Sequence, residues 1–175
     1  MQEQFDILDI SGTPTGIVAD KGAKLRDGEY YLGVHAYIYN ADGEFLLQQR
    51  SYNKSFLPGG WDVLLEHVIA GETSMEGVVR GLAEEVGLSA PESDIRLVRR
   101  FIWSEYHHIV DVYFVRVNFD VSELSLQSGE VIGAKMVSKD DMLELVSGMD
   151  YRPVEYRQCI AGEICSISSE MWQEC

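Results

Sequence analysis

The sequence has few cysteines and prolines and no long apolar run, and each shortage excludes a class of protein. The three cysteines, Cys159, Cys165 and Cys175, form no CxxC pair, which favours reduced thiols in a cytoplasmic protein; a Cys159–Cys165 disulfide is the alternative. The four prolines are scattered, so no disordered segment stands out. No stretch approaches the roughly 18 apolar residues of a membrane span. The opening MQEQFDILDI also lacks the basic start and apolar run of a secretory signal.

Basic residues are scarce as well. The 175 residues include 14 Lys and Arg against 29 Asp and Glu, giving a net charge of −15. This excess of acid would repel a nucleic-acid backbone, so a polymeric nucleic acid is not an expected partner. An anionic small substrate would need a cation or a local basic patch. The length and the 46% hydrophobic content suit one domain over residues 1–175. Both a monomer and a homodimer are compatible with this sequence.

The order of the predicted elements indicates an α+β fold. FDILDISGTPTGIVA predicts an N-terminal hairpin, and LGVHAYIYN followed by EFLLQQR predicts a buried strand and its returning partner. DVLLEHVIA, IRLVRRFIW and HIVDVYFVRVNF also look extended, whereas SLQSGEVIG is expected to be a loop before a short strand, AKMVS. KDDMLELVSG and a segment that begins near Pro153 predict two C-terminal helices. This order, in which strands are followed by one strong helix, more strands and then helices, predicts a layered α+β domain with a mixed sheet.

The strong helix lies within GETSMEGVVRGLAEEVGL, residues 71–88. Thr73 and Glu76 fit a capping box, and Gly87 is placed to end the helix in a left-handed conformation. Between these ends, apolar residues recur at spacings of three and four and predict one buried stripe. The members of this stripe are Met75, Val78, Val79, Leu82, Ala83 and Val86.

The polar side of this helix carries two adjacent carboxylates. Glu85 falls at the margin of the apolar stripe, where it should be partly buried, and Glu84 lies about 100° away, with Gly81 between them. Carboxylate oxygens of this kind are what Mg²⁺ prefers, usually together with waters and substrate phosphates. Gly77 and Gly81 each cost roughly 1 kcal/mol against Ala in a helix, and they leave a smooth strip beside the acids. Close packing of a neighbouring backbone and space for a ligand both explain that strip.

The same segment resembles the Nudix box, whose pattern is G-x5-E-x7-R-E-U-x-E-E-x-G-U with U aliphatic. The flanking GVHAYIYNADGEFLLQQRSYNKSFLPGGWD is similar to the subgroup of this family related to isopentenyl-diphosphate isomerase, and the likeness covers roughly residues 5–147. The residues that fall on the box pattern are Glu72, Arg80, Leu82, Glu84, Glu85, Gly87 and Leu88.

This resemblance implies a fold and a reaction. The fold would be an α/β/α sandwich around a mixed sheet, with its core at about residues 30–147, an N-terminal hairpin and C-terminal helices. The reaction would be hydrolysis of a nucleoside diphosphate linked to another group, with Mg²⁺ or Mn²⁺ held by Glu84 and Glu85. Arg80 would pair with Glu72 and brace the loop, and Glu130 falls where the family often supplies a further carboxylate.

Two basic residues precede the box. By the same resemblance, Arg50 and Lys54 match positions that face the diphosphate in the isomerase-like subgroup. Without the resemblance they would be ordinary surface charges. His107 and His108 are expected to form a loop or surface pair, since adjacent strand residues point to opposite faces.

The chain departs from the box pattern at two positions. Gly81 replaces the first Glu of the R-E-U-x-E-E core, and Glu66 replaces the first Gly of the box. Glu66 is therefore a candidate replacement carboxylate, and either Glu66 or Glu130 is a candidate base. Losing a well-placed base costs about 10²–10⁴ in rate, so the sequence predicts a hydrolase that is weakened. The alternative is an inactive module that binds a nucleotide or a protein. An isomerase is disfavoured, because WDVLLEHVIAG has no cysteine.

Overall fold

The fold is built on a seven-stranded mixed sheet and a separate two-stranded hairpin. The computed structural model describes residues 3–167. The hairpin is β1–β2, and the order along the main sheet is β5-β4-β3-β8-β7, with β6 also paired to β3 and β9 to β4. The strands are β1 Gln4–Leu8, β2 Pro14–Asp20, β3 Tyr31–Tyr39, β4 Phe45–Arg50, β5 Trp61–Asp62, β6 Leu64–His67, β7 Ile95–Trp103, β8 His108–Arg116 and β9 Val131–Val137. The helices are α1 Ser74–Gly81, α2 Lys139–Ser147 and α3 Val154–Ser166.

Strand β3 is the centre of the sheet. It runs parallel to β8 over nine residue pairs, from Tyr31 with His108 to Tyr39 with Arg116, and antiparallel to β6 and β4. Eight of its nine residues are buried, because helices cover both faces of the sheet. This explains why its sequence is apolar and aromatic throughout and does not alternate with polar residues.

The side chains between the sheet and the helices form two apolar cores, one on each face of the sheet. On one face, β-branched and small side chains of β3, among them Val34 and Ala36, pack against Val78 and Leu82 of the box helix. On the other face, aromatic side chains such as Tyr37 pack against α2 and α3. The second core also contains Phe45, Phe114, Met142, Tyr156, Ile160 and Ile164. The molecule is thus an α/β/α sandwich around a mixed sheet, as the sequence predicts.

The helix ends follow the predicted chemistry. Thr73 accepts a hydrogen bond from the Glu76 amide while the Glu76 carboxylate accepts one from the Thr73 amide, which confirms the capping box. Ser138 and Asp141 cap α2 in the same way, and α3 begins directly after Pro153. The hairpin and both C-terminal helices are confirmed as well.

Several local predictions are wrong. Val79 and Ala83 are exposed, because the helix buries a narrower stripe than its apolar pattern suggests. Residues 131–133 belong to β9 and not to a loop, since they pair with the end of β4. Cys159 and Cys165 are free thiols, so the alternative disulfide is not formed, and Cys175 lies outside the described residues. None of the helices within residues 3–167 has the length and apolar character needed to cross a bilayer.

Candidate active site

A wide π-helical turn positions the two adjacent glutamates. Helix α1 ends at Gly81, and residues Leu82–Val86 form one π turn before Gly87 takes a left-handed φ of 72°. Such single turns are frequent at functional sites, where they shift side chains relative to a regular helix. Here the turn directs Glu85 inward, with 4% exposure, while half of the Glu84 side chain stays in solvent. The sequence predicts a Glu85 that is only partly buried, so the burial exceeds the expectation.

Glu85 lies in an environment that disfavours its charge. Burial, together with the nearby carboxylate of Glu66, raises its pKa to about 7. A hydrogen bond of 2.6 Å from the Gln48 amide to Glu85 Oε2 and the positive charges of Lys54 and Arg50 oppose that rise. A buried carboxylate beside a second carboxylate is stabilised in its charged form by a cation, which is the property expected of a metal ligand.

Arg80 joins the box helix to the loop and strand before it. Its Nε and Nη2 donate to the two carboxylate oxygens of Glu72 at 2.9 and 3.1 Å, and Nη2 also donates to the His67 carbonyl at 2.7 Å. Its Nη1 lies 3.4 Å from one oxygen each of Glu66 and Glu84. Burial lowers the pKa of Arg80, but these acids outweigh it and raise the pKa above its usual value. The predicted Arg80–Glu72 pair is present, and Arg80 gathers three carboxylates around one guanidinium.

Gly81 faces Glu66 across the gap between α1 and β6. A Cβ on Gly81 would lie 3.3 Å from Glu66 Cβ and 3.1 Å from Leu64 Cδ2. A Cβ on Gly77 would lie 3.1 Å from Val68 Cγ2. The glycine strip is therefore occupied by side chains of β6 and of Val68, the residue after it, and is not space for a ligand. The stem of Glu66 fills the position beside Gly81, so a carboxylate still enters this part of the site from the strand.

The two predicted basic residues lie at the end of β4 and in the loop after it. The pairing of β4 with β9 is irregular at this point, because Gln49 pairs with Gly133 and Arg50 with Val131, so that β9 carries one extra residue, Ile132. Arg50 is 8% exposed and donates from Nε to the Phe56 carbonyl at 2.9 Å. Lys54 forms an ion pair with Glu130, and both are partly buried. Glu130 is thus attached to the site through Lys54.

The donor set suits a hard divalent ion. Glu66, Glu84 and Glu85 supply carboxylate oxygens. Burial raises the pKa of Glu66 while the charge of Arg80 opposes that rise, and the charge of Glu66 in turn adds to the raised pKa of Glu85. Within residues 3–167, no three acidic, histidine or cysteine side chains converge into a preassembled metal cage. This arrangement fits Mg²⁺ or Mn²⁺ only where waters and substrate oxygens complete the coordination, which is the usual situation for Mg²⁺.

Three residues in or near the site have contacts that the sequence does not predict. Gln48 orients Glu85, but a glutamine in a buried strand gives no signal of its partner. Arg152, outside the predicted core range, donates to both Asp62 oxygens at 2.9 and 2.7 Å and so joins the turn before α3 to β5. His107 lies in the turn before β8, as expected, but both histidines are half-buried and do not form a surface pair. The Nε2 of His108 lies 3.1 Å from the Nε2 of His67.

Comparisons with known proteins indicate the family and the fold. A profile of the NUDIX domain matches residues 29–156. An uncharacterised Nudix hydrolase of Listeria monocytogenes is 31% identical over 152 residues, which cover 86% of this chain and 89% of that protein. An isopentenyl-diphosphate Δ-isomerase of Shigella boydii is 26% identical over 158 residues, covering 86% and 84%. The crystal structure of a Deinococcus radiodurans protein, DR0079, superposes with a TM-score of 0.70 at 17% identity, covering 93% and 98%, and this supports the fold alone.

Proposed function

Because this chain belongs to the Nudix hydrolase family, we propose that it hydrolyses a diphosphate linkage in a small molecule with a divalent metal ion, Mg²⁺ or Mn²⁺. One observation carries the proposal despite the altered box. The carboxylate missing at Gly81 is matched by Glu66, whose side chain occupies the space beside that glycine. The exchange keeps three carboxylates at the site, two from the end of the helix and one from β6.

Three glutamates would hold the metal. Nudix enzymes generally use divalent metal ions, and Glu66, Glu84 and Glu85 are the acidic side chains that this site offers. A bound divalent ion would polarise the phosphoryl oxygens of the substrate and offset charge that develops in the reaction. Arg80 would keep Glu66 and Glu84 in place through Nη1, while Glu72 fixes the other side of the guanidinium.

The remaining charged residues would bind the substrate and move a proton. Arg50 and Lys54 would bind the diphosphate, since burial lowers the pKa of both and an anion would stabilise their charged forms. When Lys54 turns to the diphosphate, Glu130 loses its ion-pair partner and becomes a base. Glu130 then takes a proton from the attacking water. The new P–O bond forms to that water, the bridging P–O bond breaks, and the leaving phosphate keeps the bonding electron pair.

Turnover across a panel of diphosphates tests this proposal. Purified protein is incubated with nucleoside diphosphate sugars, dinucleoside diphosphates and isopentenyl diphosphate, with Mg²⁺ or EDTA, and the products are identified by mass spectrometry. We expect Mg²⁺-dependent cleavage of at least one compound, and a fall of about 10²–10⁴ in kcat for Glu130→Gln. Glu105→Gln, an exposed acid in the turn between β7 and β8, is the matched control. Wild-type protein that neither turns over any compound nor binds Mg²⁺ would overturn the proposal.

A second function has one observation in its favour. Glu66, Glu84 and Glu85 are not preassembled into a cage among the described residues, which suits a module that binds a nucleotide without turnover. The double variant Glu66→Gly with Gly81→Glu distinguishes the two functions, because each predicts a different effect on activity and ligand affinity. In a metal-dependent hydrolase the exchange retains Mg²⁺ affinity and activity, since it moves one carboxylate back to the helix. In a binding module it changes neither turnover, which is absent, nor nucleotide affinity.

A further inference from the structure

The loop between β4 and β5 contains a leucine in a conformation that leucine rarely adopts. Leu57 has a φ of 50°, and among residues 3–167 His107 is the one other non-glycine residue with a positive φ. A positive φ crowds Cβ against the backbone and is disfavoured for most L-residues. Pro58 adds a second restriction, because the residue before a proline is normally extended with a negative φ. Strain of this kind persists only where the surrounding structure imposes it, and it is concentrated at functional sites.

The loop holds Leu57 in this conformation. Pro58 and Gly59, whose φ is 70°, are the central residues of a type II turn. This turn is closed by a hydrogen bond of 3.1 Å from the Gly60 amide to the Leu57 carbonyl. The amide of Arg50 donates to the Gly60 carbonyl at 2.9 Å, which attaches the turn to the end of β4. The Leu57 side chain fills the space beside Gly60, where a Cβ would lie 2.4 Å from Leu57 Cγ. The backbone and the side chain of Leu57 are therefore both fixed.

The positive φ of Leu57 sets the direction of the Phe56 carbonyl. The φ angle rotates the peptide group that precedes a residue, and the Phe56 carbonyl belongs to that group. In the observed orientation this carbonyl accepts a hydrogen bond of 2.9 Å from Arg50 Nε. A φ of about −75°, which is usual for extended residues before proline, would rotate the peptide group by about 125° and turn the carbonyl away. The contact with Arg50 therefore depends on the unusual conformation of Leu57.

This contact leaves the Arg50 guanidinium oriented and available to an anion. It uses Nε, and among residues 3–167 the two terminal nitrogens of Arg50 have no hydrogen-bond or ion-pair partner. Arg50 is 8% exposed, and unused donors in such a position are costly unless an anion or water completes their hydrogen bonding. The planar pair of N–H groups matches the oxygens of a phosphate. An arginine that is fixed through Nε presents this pair in one orientation, which lowers the entropy cost of binding.

We propose that Leu57 is a positioning residue, whose left-handed conformation holds the Phe56 carbonyl against Arg50 Nε and so orients the terminal nitrogens of Arg50 for the diphosphate. This inference rests on the proposed function, in which Arg50 binds the diphosphate. Leu57 acts in this role through its backbone geometry and not through its apolar side chain. The sign of φ at residue 57 should therefore matter more for anion binding than the apolar bulk of the side chain.

Two substitutions separate backbone geometry from apolar packing. Leu57→Ile keeps the volume and the apolar character of the side chain, but a β-branched residue is strongly disfavoured at positive φ. Leu57→Asn loses the apolar contacts, but asparagine tolerates the left-handed region. Leu124→Ile is the matched control, since this loop leucine has a φ of −65° that isoleucine adopts without strain. Circular dichroism and Tm verify that every variant is folded.

Calorimetry with inorganic diphosphate in EDTA measures the consequence for binding. We expect Leu57→Ile to raise Kd about 10-fold or more, because the guanidinium loses its orientation, and Leu57→Asn and Leu124→Ile to change Kd less than about 3-fold. The opposite order, with Leu57→Asn impaired and Leu57→Ile unchanged, would show that Leu57 serves packing and would overturn the inference. Equal Kd values in all four proteins, or wild type that binds no diphosphate, would overturn it as well.

Exchange of the Arg50 Nε proton with solvent, followed by NMR, measures the hydrogen bond itself. The signal is assigned by its absence in Arg50→Lys. We expect exchange about 10-fold faster or more in Leu57→Ile than in wild type and Leu57→Asn; equal rates in the three proteins would contradict the role of Leu57. Both measurements are made without metal and are separate from turnover. A Leu57 effect in a protein that hydrolyses no diphosphate keeps the inference and rejects the proposed function, whereas hydrolysis that Leu57→Ile leaves unchanged does the reverse.

Discussion

The burial of Glu85 makes a prediction about the stability of the metal-free protein. Glu85→Gln keeps the size of the side chain and an oxygen that accepts from Gln48, but it removes the charge that the site disfavours. The substitution should therefore stabilise the metal-free protein wherever Glu85 is ionised. A residue that serves only the fold would give the opposite result, since replacing a well-satisfied group is normally destabilising.

The magnitude follows from the pKa. Burial raises the pKa of Glu85 from 4.5 to about 7, and each unit corresponds to 1.36 kcal/mol, so the full effect is about 3 kcal/mol. Between these two values the folded state binds more protons at Glu85 than the unfolded state, and the free energy of unfolding falls as the pH rises. The penalty is absent below about pH 4.5 and complete above about pH 7. Glu85→Gln should thus match wild type near pH 4.5 and exceed it near pH 8.

Urea denaturation in EDTA, followed by tryptophan fluorescence at pH 4.5, 6 and 8, measures this difference. Glu84→Gln is the neighbouring control, and because half of its side chain is in solvent it should change stability by no more than about 0.5 kcal/mol at any of these pH values. Saturating Mg²⁺ should reverse the order at pH 8, because it stabilises wild type and has less to bind in Glu85→Gln. If Glu85→Gln destabilises the metal-free protein at pH 8, the account of Glu85 is wrong.

Three further changes test the packing around the site. Arg152→Ala should lower the free energy of unfolding by about 3–5 kcal/mol, because Asp62 is left as an unpaired buried charge; a loss below about 1 kcal/mol in urea titration would contradict this. Gly87→Ala should cost about 1–2 kcal/mol, since the residue has a φ of 72° and a Cβ would lie 2.8 Å from a serine Cβ; unchanged stability would refute the strain. Gly81→Glu alone should lower Tm, and adding Glu66→Gly should restore it; equal Tm values for the single and the paired variant would show that the two positions do not share one space.

The elements of the fold were largely predictable because their signals are local. The capping box at Thr73 and the left-handed residue at Gly87 need only neighbours within one turn. The exposure of Val79 was not predictable, since an apolar side chain on a helix reveals its direction only when the position of the sheet is known. The start of β9 before Ala134 was missed for a related reason: Gly133 reads as a loop residue until β4 pairs with it.

In the candidate site, some contacts were predictable from the sequence and others were not. The pairing of Arg80 with Glu72 could be expected, because the two residues stand at a spacing that the box pattern supplies. The contact between Glu66 and Gly81 could be suspected only from two departures in that pattern, and its geometry required the distance between β6 and α1. Nothing in the sequence signals Arg152, whose partner lies 90 residues earlier in the chain. Long-range contacts between single polar residues leave no periodic trace.

Binding of Mn²⁺, followed by electron paramagnetic resonance, measures whether Glu66, Glu84 and Glu85 together hold one divalent ion. Mn²⁺ is titrated into wild type, Glu66→Gln, Glu85→Gln and the control Glu105→Gln. We expect one bound ion in wild type and in the control, with affinity at least about 10-fold weaker in both site variants. Equal Mn²⁺ affinity in all four proteins would show that these glutamates do not hold the ion.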